Sequence, residues 1–238
     1  MKINSLPIEP IYTLHQEFEA AVTWMHMLPD LEEAGLWISL DAKRQRITAL
    51  NEQDEKVFDY RPPLPAVPIA PDQTLEGYLS QVQDEPGSYL ILLMQAGAAS
   101  LGLFEEGEVT LHKAIKKYMV RKKQGKAQLN YLQTRGKSKA GSRIRLANTT
   151  RFLEEINEYL QKWEAYEPAE RILYYCNPQL WGLLHQAQPA PPFDKKDARL
   201  AKVPFDVHTP DHEELLRINR KCLQAELRVY LEDDRLNG

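Results

Sequence analysis

The chain has 238 residues, of which 43% are hydrophobic and 27% charged, and its net charge is −4 at pH 7. These values exclude a wholly disordered or collagen-like protein and predict one or two domains, each with its own core. No run approaches the roughly 20 apolar residues of a membrane span, and we expect no secretory signal. The two cysteines, Cys176 and Cys222, are far apart, which excludes a zinc ribbon or disulfide scaffold and favours a reduced, cytoplasmic location.

Residues 1–72 are predicted to form an N-terminal region with a helix, a small β-meander and a proline-rich connector. Apolar residues at helical spacing predict a helix over residues 13–29, which Pro29 ends. Three strand-like runs follow, at residues 36–40, 46–50 and 56–60. The stretch RPPLPAVPIAP then reads as an extended spacer, with an SH3-type ligand as the rarer alternative.

Residues 73–238 are predicted to form a second unit in which helices alternate with strands. Thr74 is the expected N-cap of its first helix. The expected strands cover residues 89–94, 99–104, 109–111, 172–175 and 203–205. The expected helices cover residues 74–81, 129–134 and 142–163, a short stretch after Pro178, and a last helix that starts at Thr209 and Pro210. This order predicts an α/β fold, a mixed sheet with flanking helices, with α+β as the alternative.

Charge is strongly segregated along the chain. Residues 109–153, called the basic segment here, contain 13 lysines and arginines and no acidic residue, whereas the rest of the chain holds 17 bases and all 34 acids. A short lysine run would usually be a solvated surface loop. A stretch of this length without acids instead favours a polyanionic partner, and nucleic acid is the expected one.

Within the basic segment, residues 121–128 have the sequence RKKQGKAQ and are called the glutamine loop here. Gly125 permits backbone geometry that other residues resist, so this loop can approach a phosphate backbone closely. The amide of Gln128 does not titrate, but it can orient a water or hydroxyl and donate to a developing oxyanion. A glycine and a glutamine at this spacing are a weak signal by themselves.

The surrounding residues resemble a known family, the Vms-like release factors. The resemblance is carried by Tyr118, Val120, Arg121, Lys123, Gln124, Gly125 and Gln128, by the stretch KAGSRIR at residues 139–145, and by DARLAKVPF at residues 197–205. It covers residues 89–223 and implies a fold like the catalytic domain of eukaryotic and archaeal class 1 release factors. Residues before Gly87 resemble no family that we can name.

The resemblance implies that Gln128 acts, with Gly125, on the aminoacyl end of a peptidyl-tRNA held by the ribosomal large subunit. Relatives either hydrolyse the peptidyl ester or cut the tRNA near its CCA end, so the bond stays open. The residues expected to bind RNA phosphates are Arg121, Lys122, Lys123, Lys126, Lys137, Lys139, Arg143 and Arg145. The alternatives are a non-catalytic tRNA- or ribosome-binding factor and a simple RNA-binding module.

No cofactor or metal is expected. No acidic residue or histidine lies near Gln128 in sequence, and His112 is the nearest, so catalysis would rest on the substrate's own 2′-hydroxyl or on an oriented water. His208 and His212, with Asp206 and Asp211 nearby, form a weak metal candidate, and a surface helix start is the favoured interpretation. The oligomeric state is left open.

Overall fold

The computed structural model describes residues 9–117, 140–231 and 236, and only the backbone of residues 140–146. The chain divides into two compact units, Met1–Gly87 with Arg220–Gly238, and Ser88–Asn219. The first unit includes the last strand of the chain, because this strand pairs with two strands of that unit. Among the described residues, no helix has both the length and the apolar character needed to cross a membrane.

The first unit contains an antiparallel sheet of five strands. Its strands are β1 (Tyr12–Gln16), β2 (Trp37–Asp41), β3 (Arg46–Leu50), β4 (Lys56–Arg61) and β10 (Ala225–Val229), in the order β1-β10-β4-β3-β2. Its helices are α1 (Phe18–His26), α2 (Leu28–Glu33) and α3 (Leu75–Leu79). Alternate strand residues such as Ile47 and Ala49 are fully buried and form one core with apolar residues of these helices.

The start of the chain corrects the first predicted helix. Residues Tyr12–Gln16 are a strand that pairs with β10, so Leu14 fits the helical spacing only by coincidence. Pro29 does not end a helix but lies in the first turn of α2, where a missing N–H costs nothing. The predicted β-meander is confirmed as β2, β3 and β4, and the Thr74 cap is confirmed because its hydroxyl accepts from the Gly77 N–H at 3.1 Å.

The second unit contains a mixed five-stranded sheet, which confirms the predicted mixed sheet with flanking helices. Its strands are β5 (Tyr89–Gln95), β6 (Ala98–Glu105), β7 (Glu108–Lys116), β8 (Arg171–Tyr175) and β9 (Leu200–Lys202), in the order β7-β6-β5-β8-β9. The pairs formed by β5 with β8 and by β8 with β9 are parallel, and the other two are antiparallel. The helices of this part of the chain are α4 (Ala140–Tyr166), α5 (Pro178–Leu184) and α6 (His212–Cys222).

Two short elements near the C-terminus differ from the prediction. The predicted strand at residues 203–205 lies instead at Leu200–Lys202, because Pro204 has no N–H to donate to a sheet. The last helix begins at His212 rather than at Thr209. Its first turn is capped by Asp211, whose carboxylate accepts from the Glu214 N–H at 3.0 Å.

Helices cover both faces of the mixed sheet. On one face, Leu92 and Leu101 share a core with Phe152, Ile156 and other residues of α4 and α5. On the opposite face, the Tyr89 hydroxyl donates to Asn219 of α6 at 2.6 Å. A sheet that is buried on both faces needs near-continuous apolar strands, which explains why β5 is predicted so clearly from its sequence.

Candidate nucleic-acid interface

The strand directions place Lys117, the last described residue before the glutamine loop, at one edge of the mixed sheet. Strand β7 runs antiparallel to β6, as β5 does, so β5, β7, β8 and β9 all point the same way. Their carboxyl ends therefore lie along a common edge. Lys117 directly follows β7 at this edge, where its N–H donates to the Gly97 carbonyl at 2.9 Å. Ligand sites of open sheets with parallel strands commonly form at such carboxyl ends.

The long helix α4 returns the chain from the basic segment to the sheet. It leads into β8, so it runs against the strand direction, and its N-terminus points toward the carboxyl edge. Lys117 forms an ion pair with Glu155 of this helix, with Nζ and Oε2 2.6 Å apart. Glu155 follows Ala140 by 15 positions, which is about 22 Å along the helix. The N-terminal turns of α4 therefore continue past the end of β7.

Most of the predicted site residues lie outside the described residues. These are Gln128, Gly125, Arg121, Lys122, Lys123, Lys126, Lys137 and Lys139, which fall in the stretch between Lys117 and Ala140. The predicted helix at residues 129–134 falls there as well. Arg143 and Arg145 are placed by their backbone in the N-terminal turns of α4. The predicted helix at residues 142–163 is thereby confirmed and extended to Ala140–Tyr166.

A buried amide ties α4 to the end of α5 and to the segment that follows it. Asn157 is fully buried, and its Nδ2 donates to the Leu184 carbonyl at 2.9 Å and to the Pro189 carbonyl at 2.7 Å. Phe152 and Ile156, which precede it in α4, are also inaccessible to solvent. A buried polar group with satisfied donors holds one packing arrangement, because any shift would leave the donors without partners.

An open groove of about 550 Å³ runs between the end of β7 and the exposed side of α4. It is lined by Lys117, Arg151, Glu154, Glu155, Glu158, Tyr159 and Lys162. Lys113 lies beside it, with Nζ 4.9 Å from the centroid of the Tyr159 ring. The hydrogen bond to Tyr159 raises the pKa of the Lys113 ammonium group. The groove therefore mixes cationic, acidic and aromatic side chains rather than presenting a uniformly basic surface.

The sequence analysis missed the partners on α4. It counted Lys113 and Lys117 as members of the basic segment but did not connect them with Glu155 or Tyr159. A signal was present, since Lys113 on β7 and Lys117 directly after it are four residues apart, as are Glu155 and Tyr159, which lie one turn apart on α4. Their pairing depends on how the helix crosses the strand, which the local sequence does not encode.

The weak metal candidate has a structural role. Glu214 accepts from Arg217 at 2.6 and 2.7 Å and from the His208 N–H at 2.6 Å, and the hydrogen bond from Arg217 holds the pKa of Glu214 below its usual value. Asp211 caps α6, and the His212 ring packs at a tilt of 38° against that of His112, with centroids 4.1 Å apart. Within residues 9–117, 140–231 and 236, no cluster of three or more histidine, cysteine or acidic side chains suits a metal ion.

Comparison with known proteins identifies the family. Residues 89–229, more than half of the chain, match the family described as bVLRF1, the Bacteroidetes VLRF1 release factor. The chain belongs to this family. The match confirms the resemblance to Vms-like release factors, and it includes the whole basic segment as well as the mixed sheet.

Curated relatives include proteins named tRNA endonuclease. The mouse tRNA endonuclease ANKZF1 is 30% identical over 195 residues, which are 80% of this chain and 26% of the relative. The human tRNA endonuclease ANKZF1 is 29% identical over 196 residues, again 80% of this chain and 26% of the relative. The chain thus spans about a quarter of the length of these relatives. A solved structure titled Vms1 mitochondrial localization core covers 91% of this chain and 86% of its own, at 12% identity and a TM-score of 0.45.

Proposed function

We propose that the protein cleaves peptidyl-tRNA on stalled ribosomal large subunits and so releases the nascent chain, with Gln128 at the reacting centre. One observation carries this proposal. A segment with 13 bases and no acids, which contains Gly125 and Gln128, starts in a strand and ends in a helix of a domain matched to a release-factor family. Lys117, which precedes the glutamine loop, lies at the carboxyl edge of the mixed sheet, and the N-terminus of α4 points toward the same edge.

The chemistry of the glutamine loop supports a positioning mechanism. The Gln128 amide orients the attacking water or hydroxyl and donates to the developing negative charge, and Gly125 allows the backbone to approach the substrate. Arg121, Lys122, Lys123, Lys126, Lys137 and Lys139, with Arg143 and Arg145 on α4, bind the phosphates and hold the tRNA in place. No titratable side chain is required at the reacting atoms, because the substrate supplies its own 2′-hydroxyl or a water is oriented.

Two bonds fit this mechanism, and their products differ. Attack of water on the peptidyl ester leaves a tRNA of full length and a free peptide. Attack of a 2′-hydroxyl on the adjacent phosphodiester near the CCA end leaves a tRNA shortened at its 3′ end, with a cyclic phosphate, and the peptide keeps the removed nucleotides. The names of the mouse and human relatives favour the second reaction.

The test uses purified large subunits that carry peptidyl-tRNA labelled at the tRNA 5′ end. The wild-type protein is expected to release the peptide, and the length of the tRNA on a gel identifies the bond. A full-length tRNA means ester hydrolysis, and a shortened one means a cut near the CCA end.

A non-catalytic binding factor is the second candidate. It is favoured by the absence of acidic residues from the basic segment, which holds no general base besides His112. Wild-type protein that binds the subunits in a salt-sensitive manner without releasing peptide would establish this candidate instead. In either case the expected partners are tRNA and the large subunit, and the expected compartment is the cytoplasm.

A further inference from the structure

Lys113 of β7 and Lys117, which directly follows this strand, both contact one side of α4. Lys113, Ile115 and Lys117 alternate along the strand direction and share one side of it, and Ile115 is buried in the core beneath α4. Lys113 lies over the Tyr159 ring, and Lys117 pairs with Glu155 at 2.6 Å. Successive positions on the strand thus contact α4 through an aromatic ring, the core and a carboxylate.

Of the two lysine contacts with α4, the Lys117–Glu155 pair is the closer in sequence to the glutamine loop. Lys117 precedes Gln128 by 11 residues, and Glu155 belongs to the helix into which the basic segment leads. The pair therefore joins the two elements between which the loop runs. Asn157 and its apolar neighbours already hold α4 in place. The Glu155 carboxylate therefore has a fixed position and can hold the end of β7.

We infer that Glu155 is a positioning residue for the proposed cleavage, which holds the Lys117 end of the strand in the orientation that brings Gln128 to its target. The inference rests on the proposed function. When the residue that precedes a chain segment is held against the element that follows it, the segment can reach fewer positions. Small displacements at a reacting centre lower the rate by large factors.

Direct binding of phosphate by Lys117 fits the geometry less well. Its ammonium group is already paired, and the side chains of Lys117 and Glu155 are each only 29% exposed. Glu154, Glu155 and Glu158 line the same groove. These three carboxylates balance the three cations of the groove, Lys117, Arg151 and Lys162, so the groove offers no net positive charge to a phosphodiester strand. Lys117 therefore orders the strand end rather than binding RNA.

The test compares Glu155→Gln with Glu158→Gln, a matched variant in the same groove. Both remove one negative charge from α4, but only the first removes the partner of Lys117. We expect Glu155→Gln to lower kcat for peptidyl-tRNA cleavage about tenfold with KM unchanged, and Glu158→Gln to leave both unchanged. The pair is partly exposed and contributes little to stability, so Tm should stay the same.

Two further measurements separate positioning from other roles. The charge swap Lys117→Glu with Glu155→Lys should restore most of kcat, because it rebuilds the pair in the opposite sense. Amide hydrogen exchange needs no activity: the Lys117 N–H, which donates to the Gly97 carbonyl, should exchange about tenfold faster in Glu155→Gln.

Defined outcomes would overturn the inference. An unchanged kcat in Glu155→Gln alongside an active wild type refutes it and leaves the proposed function intact. Tighter RNA binding at unchanged kcat would mean that Glu155 masks a phosphate-binding lysine. A wild-type protein that does not cleave peptidyl-tRNA would refute the proposed function and, with it, the role of Glu155 in cleavage. Faster amide exchange at Lys117 in Glu155→Gln would in that case still support the anchoring role of Glu155.

Discussion

The first sheet and the basic segment of the second unit differ in whether their positive charges are matched by negative ones. On the first sheet, Glu226 accepts from Arg46 and from Arg228 at 3.0 Å, and Asp59 pairs with Lys56 at 3.0 Å. The Arg228–Glu226 and Lys56–Asp59 pairs each lie within one strand, and the Arg46–Glu226 pair spans the strand between β3 and β10, so cations and anions there neutralise each other. The basic segment, which starts in the second sheet, has no acid of its own. Charges that are balanced within the fold stabilise it, whereas an unbalanced excess of positive charge favours the binding of an anionic ligand.

The largest expected effect comes from removing charge within the glutamine loop. The triple variant Arg121→Gln, Lys122→Gln and Lys123→Gln should weaken tRNA binding about 100-fold at low salt and reduce the salt slope of log K by about 2 to 3. Titration of labelled tRNA at several salt concentrations measures both quantities.

The control for this variant comes from the first unit. Lys43→Gln with Arg44→Gln removes two exposed bases there. We expect its affinity and salt slope to match the wild type. An equal loss of tRNA affinity in the triple variant and in this control would mean that RNA binding depends on overall charge. The contrast between the first sheet and the basic segment would then be refuted.

Packing against the second sheet gives the next effect. A Cβ added at Gly102 would lie 2.6 Å from Phe104 and 2.8 Å from Leu215 of α6, so Gly102→Ala should lower the free energy of unfolding by about 2 kcal/mol. Gly182, inside α5, has nothing within 4 Å of the same atom. Gly182→Ala should therefore be neutral or raise stability by up to about 1 kcal/mol. Urea unfolding measures the two, and equal effects would refute the close approach of α6.

The paired charges of the first sheet should appear in the pH dependence of stability. Burial opposes ionisation of Glu226, but the hydrogen bond from Arg46 and the charges of Arg228 and Arg61 outweigh it and hold its pKa below the usual 4.5. The stabilisation is therefore complete above pH 4.5 and is lost as the pH falls through the lower folded pKa.

Glu226→Gln tests this account. It should cost about 1 to 2 kcal/mol at pH 7, and the difference from wild type should shrink as the pH falls below 4.5. The exposed Glu52→Gln serves as the control and should follow the wild type throughout. A difference that stays constant from pH 7 to strongly acidic pH would show that the carboxylate charge is not what stabilises this face.

The smallest effect concerns a helix start in the second unit. The Asn177 side chain accepts from the Leu180 N–H at 2.8 Å and caps α5, which begins with Pro178. Asn177→Ala should cost about 1 kcal/mol in urea unfolding, whereas Asn177→Ser should cost much less because serine also caps. Similar losses in both variants would argue against the cap.

Elements with a strong local signal were predicted correctly from the sequence. The apolar run of β5, the meander of β2 to β4 and the buried stripe of α4 follow from periodicity and turn residues alone. Strand β1 was missed because its partner, β10, lies about 200 residues away, and the pairing of Leu14 with Leu227 leaves no local trace.

The candidate site divides in the same way. The basic segment and Gln128 follow from composition and from motifs that resemble a known family, and the family match confirms that resemblance. The roles of Gln128 and of its basic neighbours stay predictions. Glu155 was missed because a single glutamate on a helix gives no local sign of its partner. Its contact with Lys117 arises only when the helix packs beside the strand.

The most direct test of the central claim compares Gln128→Ala with Gln124→Ala in the cleavage of peptidyl-tRNA on purified large subunits. Both variants remove one amide from the same loop, and binding to the subunits is measured in the same reactions. Our account predicts that Gln128→Ala lowers the rate of peptide release at least 100-fold while binding is unchanged, and that Gln124→Ala stays within a few-fold of wild type. Peptide release by Gln128→Ala at the wild-type rate would contradict it.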